Sequence, residues 1–182
     1  GSSIITNADG TWSRSGTSGD VPITADLYGP YCDMNNYSGS EAQYGGTAPE
    51  GDPFTVVFDD GNSQQDERDA FEAVNEIHDF FETFAPGFGY TQQRMQTYVS
   101  RTDIYCPGNA WWDGTINFCV EGDGYANTGE IQGVVFHEFG HGVQDYVLGW
   151  QGDEGLGEGN SDILAILLTK DPALGRGFFL DN

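Results

Sequence analysis

The sequence predicts an α+β fold, a twisted antiparallel sheet lobe packed on a helix that carries two histidines. Three observations predict it. Residues 1 to about 60 are rich in Gly, Ser, Thr, Asn and Asp, with short extended runs between turn signals. From Asp66 the apolar residues recur at helical spacing. Two further helical patterns follow residue 126, the first holding His137 and His141 four positions apart. A chain of 182 residues can build one domain with a core, or two small lobes around one cleft. It is read here as one unit, with 1–126 forming mainly the sheet lobe plus one helix, and 127–182 the histidine-bearing helix and its successor.

In the first part, Val21 to Tyr28 and Phe54 to Phe58 are the expected extended segments. Phe71, Val74, His78 and Phe81 then fall on one helical stripe, which predicts a helix from about 66 to 84, ended by Pro86-Gly87. Thr97 to Cys106 and Thr115 to Val120 are β-branched and aromatic, and read as two strands joined by the loop 107–114. The next helix starts at Asn127 or Thr128, where Asn127 and Glu130 give a capping-box-like signal. It runs through Ile131, Val134, Val135, Phe139, Val143, Tyr146 and Val147 to a stop at Gly149. A third begins near Gly157 or Glu158 and carries Ile163, Leu164, Ile166, Leu167 and Leu168 as far as Asp171-Pro172.

The charge balance excludes some partners. With 29 acidic and 6 basic residues the net charge is −23, so nucleic acid and anionic membranes are repelled. No run of eighteen apolar residues is present, and the opening Gly-Ser-Ser lacks the features of a secretory signal, so the chain reads as mature or processed. Of three cysteines, Cys106 and Cys119 flank a segment short enough to close as a hairpin, which makes a 106–119 disulfide the preferred pairing. Pairings 32–106 and 32–119 remain open on sequence alone.

The chemistry concentrates in His137-Glu138-Phe139-Gly140-His141 and, beyond residue 157, Glu158-Gly159-Asn160-Ser161-Asp162. Histidines four apart on a helix share a face and can each offer a nitrogen to one cation at about 2.0–2.1 Å. Glu138 lies about 100° round the helix from His137, within reach of a metal-bound water and badly placed as a ligand, so its role is base. Glu158, on the next helix, is the third ligand, and the connector 149–157 lets the two helices fold back on each other. Three protein ligands and one open position suit catalytic zinc. Asp162, one turn after Glu158, is placed to accept the outer N–H of a ligand histidine. Gly133, Gly140 and Gly142 each weaken the helix by about 1 kcal/mol, which calls for close packing or a passing substrate backbone to offset it.

These residues resemble the thermolysin-like and fungalysin-like zinc metallopeptidases, whose HExxH helix is followed by a glutamate ligand in an ExxxD context. His137, Glu138, His141, Glu158 and Asp162 match that pattern one by one. The resemblance spans roughly residues 68 to 170 and includes Val74 to Phe81. Asn160 stands where the fungalysin pattern has tryptophan. Asn109-Ala110-Trp111-Trp112-Asp113-Gly114 is similar to the edge strand that pairs with peptide in the thermolysin type. The resemblance therefore implies substrate-binding roles for Asn109, Ala110 and Trp111.

One departure matters. Those families stabilise the oxyanion with a histidine in a helical lobe after the zinc site, and no histidine follows 141 here. The expectation is a catalytic domain without its C-terminal helical lobe, completed by a missing C-terminal segment or a second chain, or else a substitute donor such as Tyr146 or Arg176. The fold and function implied are those of a secreted, extracellular zinc endopeptidase acting on protein or peptide. The alternative is a non-catalytic zinc-binding domain descended from one. Calcium is the second candidate cofactor, for the acidic segments Asp59 to Asn62 and Glu121 to Gly124, which otherwise read as turns. His78 is expected as a buried, hydrogen-bonded histidine, Trp111 and Trp112 as an aromatic wall, and Glu154 as the reserve ligand.

Overall fold

The computed structural model describes residues 3–7, 10–16, 18–149 and 155–180. β1 (Val21–Asp26) and β3 (Gln43–Ala48) pair antiparallel as a two-stranded sheet. The second sheet contains β2 (Cys32–Asn36), β4 (Met95–Arg101), β5 (Ala110–Trp112) and β6 (Ile116–Cys119), in the order β2-β4-β6-β5.

The α+β class holds, and the four-stranded sheet corrects the expectation of an antiparallel lobe. β2 with β4 and β4 with β6 are parallel, and β5 with β6 is antiparallel. The cause is connectivity. Helix α1 (Gln65–Phe84) lies between β2 and β4 in the chain, and a crossover returns the second strand parallel to the first. After β4 the chain passes through a disulfide-tied loop and comes back along the sheet edge as β5. It turns at Asp113-Gly114 into β6, which inserts between β4 and β5. The expected pair of long strands is therefore three short ones, and β5 lies inside the segment read as a loop. Phe54 to Phe58, expected as an extended segment, belongs to no strand, and Phe54 packs edge-on against Tyr44 at 6.2 Å.

α1 begins where expected. Glu67, fully buried, accepts from the backbone N–H of Gln64 (2.7 Å) and of Ala42 (2.8 Å), tying the helix start to β3. Its apolar stripe, Ala70, Ala73, Val74, Ile77 and Phe81, meets Met34, Val99, Ile116 and Phe118 of the sheet and Val135, Phe136 and Phe139 of the next helix to form the core. His78 is buried as expected, its Nδ1 3.1 Å from the Asp79 carboxylate and its ring stacked on Tyr31 at 3.4 Å.

The capping-box expectation at Asn127 is displaced by one turn. Asn127 accepts from the Gly129 N–H and so starts a short 3₁₀ turn, Thr128–Glu130. Only then does α2 (Gln132–Leu148) begin. Gly149 ends it with a positive φ of 74°, the backbone state that favours glycine. α3 (Gly155–Thr169) packs along α2. Cys106 and Cys119 form the expected disulfide. Cys32 is free and buried, its thiol 3.7 Å from the Thr97 hydroxyl, and burial pushes that thiol up to about 12.

Candidate metal centre

Helices α2 and α3 approach closely because Gly140 has no side chain. A Cβ there would lie 2.7 Å from the Cα of Ser161, too near for any ordinary contact. The helix propensity lost at Gly140 is thus offset by packing, as expected. Gly133 is different, since a Cβ there would meet Thr169 at an ordinary 3.6 Å.

This close pairing brings three donor residues together. His137 Nε2 lies 3.1 Å from His141 Nε2 and 3.2 Å from Glu158 Oε2, and His141 Nε2 lies 3.5 Å from Glu158 Oε1. Ligands about 2.0–2.1 Å from a tetrahedral ion are separated by roughly 3.3–3.4 Å; the closest contacts lie near that spacing, the two to Glu158 end on different carboxylate oxygens, and one donor atom from each residue gives a set within 4.8 Å. Two nitrogens and a carboxylate oxygen are also the donor chemistry of zinc rather than of calcium. Among the described residues this is the group of three that the chain assembles for a metal. The reserve ligand Glu154 lies outside the described residues.

Asp162 is where the sequence places it. Its Oδ1 is 2.8 Å from His137 Nδ1, so that nitrogen donates and Nε2 keeps its lone pair for the triangle. Glu138 is 94 % shielded from solvent, at 6 % relative exposure. Burial first, and the nearby Glu158 carboxylate second, push its carboxyl up to about 8. A cation in the triangle opposes both causes by favouring the carboxylate.

The open edge of the sheet is β5. Cys119 N–H donates to Asn109 O (3.3 Å) and Asp113 N–H to Thr115 O (3.2 Å), while Trp111 pairs with Asn117. Alternation in an antiparallel pair then directs the main-chain groups of Ala110 and Trp112 away from β6, toward the open edge. Ala110 therefore sits as expected, and Trp112 shares the edge with it. The main-chain groups of Asn109 and Trp111 face β6 instead: the Asn109 carbonyl also accepts from the Thr128 hydroxyl at 2.9 Å, and its side chain is exposed. The Trp111 ring lies on the outer face, 4.8 Å from the Arg101 guanidinium carbon and beside Tyr105. The alternation within Ala110-Trp111-Trp112 was the signal that separates the two tryptophans.

The two substitute donors make their contacts elsewhere. Tyr146 is nine residues after His137, about half a turn round the helix, and packs against Phe88 and Tyr90. Arg176 is paired with Asp171 at 2.7 Å. The acidic segments are turns closed by their own bonds: Asp59 accepts from the Gly61 N–H and Asn62 from the Asp59 N–H, and Gly122 and Tyr125 exchange backbone bonds.

No family model and no curated protein matches the sequence. Among solved structures the chain is similar to the precursor of protealysin, a metalloproteinase from Serratia proteamaculans, with a TM-score of 0.56 and 21% identity over 76% of this chain and 43% of that one. The likeness establishes a shared α+β fold, and this chain spans less than half the length of that structure.

Proposed function

We propose that the chain is the catalytic domain of a secreted zinc-dependent endopeptidase, residues 1–182 acting as one unit. The observation that carries the reading is the cluster of His137, His141 and Glu158, whose ligand atoms all lie within 4.8 Å of one another, beside a buried Glu138. The similarity to a metalloproteinase precursor supports it, and the Cys106–Cys119 disulfide and acidic surface suit an extracellular setting.

His137, His141 and Glu158 would hold the zinc, which supplies Lewis acidity to acidify a water and polarise the scissile carbonyl. Glu138 accepts the proton as water oxygen adds to the carbonyl carbon, and delivers it to the amide nitrogen as the C–N bond breaks. Asp162 fixes the His137 tautomer. A peptide aligns as an added strand on the Ala110 and Trp112 edge, through main-chain hydrogen bonds that leave its side chains to give preference. Nucleic acid and membrane are not partners in this reading.

The test is hydrolysis of casein with and without a zinc chelator, and after zinc is restored. Loss and recovery support the reading; hydrolysis indifferent to the chelator contradicts it. A second reading, a zinc-binding domain that needs a further segment or chain for turnover, is favoured by one observation. Tyr146 lies about half a turn round α2 from His137 and packs against Phe88 and Tyr90, and Arg176 is paired with Asp171. Zinc binding without casein hydrolysis selects that reading.

A further inference from the structure

Tyr90 is 5 % exposed, and its hydroxyl has no hydrogen-bond partner among the described residues. It sits on α2 at Gly142. A Cβ at that position would lie 1.8 Å from the Tyr90 hydroxyl oxygen, 2.6 Å from its Cζ and 3.1 Å from the Trp112 ring. Three elements therefore meet in the notch left by one missing side chain: the segment before β4, the edge strand β5 and the helix of the metal centre. The Tyr90 ring is held edge-on by Trp112 at 6.2 Å and by Phe139 at 5.1 Å.

The notch has a particular place. Gly142 is four residues after Glu138, about 40° further round α2, and directly follows His141. Going round the helix, α3 packs at Gly140, the triangle and Glu138 follow, and Tyr90 with Trp112 closes the other side. A phenylalanine at 90 would keep the ring's packing and bury no unsatisfied hydroxyl, leaving only the tip of the notch empty, so fold stability does not account for the tyrosine.

We propose that Tyr90 is a positioning residue: wedged into the Gly142 notch, it sets the height of β5 over Glu138 and so the register of a bound peptide against the metal triangle. The inference rests on the peptide-hydrolase reading. Removing the hydroxyl or filling the notch shifts the edge strand without touching a ligand, and displacements of that size in a positioned substrate cost about tenfold to a hundredfold in rate.

The experiment compares wild type, Tyr90→Phe, Gly142→Ala and the double variant, all zinc-loaded, in kcat and KM on an extended peptide, with zinc content and melting temperature as controls. Tyr90→Phe is expected to melt no lower than wild type yet to lose severalfold in kcat/KM, an outcome that a purely structural tyrosine does not give. Gly142→Ala is expected to keep one zinc per chain and lose about tenfold or more. Tyr90→Phe in that background removes the nearest clashing atom and recovers part of the loss. Wild-type kcat/KM in Tyr90→Phe overturns the proposal, as does a double variant with no recovery; if Gly142→Ala fails to fold, Tyr90→Phe decides alone. Calorimetric titration of the same peptide into zinc-loaded Glu138→Gln protein, with and without Tyr90→Phe, separates the two levels. Binding weakened by Tyr90→Phe, in a wild type without turnover, sinks the hydrolase reading and keeps the positioning. Equal binding, or no binding, overturns the positioning.

Discussion

The Asp162 carboxylate on α3 lies 2.8 Å from Nδ1 of His137 on α2, so one hydrogen bond orients a histidine of the proposed zinc site on a different helix. Removing it leaves the histidine free to rotate or change tautomer. Asp162→Ala is expected to lower zinc affinity by about ten- to a hundredfold, read by competition with a chelator of known affinity. An unchanged affinity contradicts the orienting role.

Glu138→Gln keeps the volume of the proposed base and removes its proton chemistry. It is expected to retain one zinc and lose hydrolysis by about a hundredfold or more, measured as kcat on a peptide. Retained hydrolysis would show that another group takes the proton.

The same residue makes the zinc-free protein sensitive to pH. Its carboxyl is pushed up from the ordinary 4.5 to about 8, mainly by burial, so the folded state keeps a proton that the unfolded chain has released. The stability this proton confers is full below about 4.5 and is lost as pH rises through about 8. Melting curves of zinc-free wild type against Glu138→Gln across that window should converge at the acid end, the wild type falling relative to the variant as pH rises. Parallel curves contradict the buried, protonated carboxyl.

Cys32 gives a test of the core. Its thiol is pushed from 9.0 to about 12 by burial and has no exposed surface. At pH 8 the native protein should leave a thiol reagent unreacted, and denaturant without reductant should release one thiol, not three. Rapid native labelling would show that β2 is not packed as described.

Gly140→Ala places a methyl group 2.7 Å from the Ser161 backbone and forces α2 and α3 apart. We expect a loss of about 1–3 kcal/mol in stability, together with weaker zinc binding, because two ligands stand on one helix and the third on the other. Stability lost with zinc affinity intact would separate the packing from the site.

The helices and the metal group were legible in the sequence because periodicity and ligand spacing are local. The helices at 65–84, 132–148 and 155–169 were expected from about 66, 127 and 157, from apolar recurrence with Pro86, Gly149 and Pro172 as stops, so their ends were read better than their starts. The sheet was less legible. Whether Thr97 and Ile116 face each other in parallel or antiparallel strands depends on the three-residue β5, which the resemblance marked as an edge strand but which is too short for strand periodicity to show beside Pro107 and Gly108. Asn127 signals a helix start correctly but caps a 3₁₀ turn, since the signal does not distinguish the two. Tyr90 was invisible because its meaning lies in the contact with Gly142, remote in sequence. The glycine itself was legible as a cost seeking a cause.

Anomalous diffraction at the zinc edge from crystals of zinc-replete protein tests the central claim most directly. The account predicts a single peak bonded to Nε2 of His137, Nε2 of His141 and the Glu158 carboxylate. An empty triangle, or a zinc held by other residues with Glu158 turned away, contradicts it.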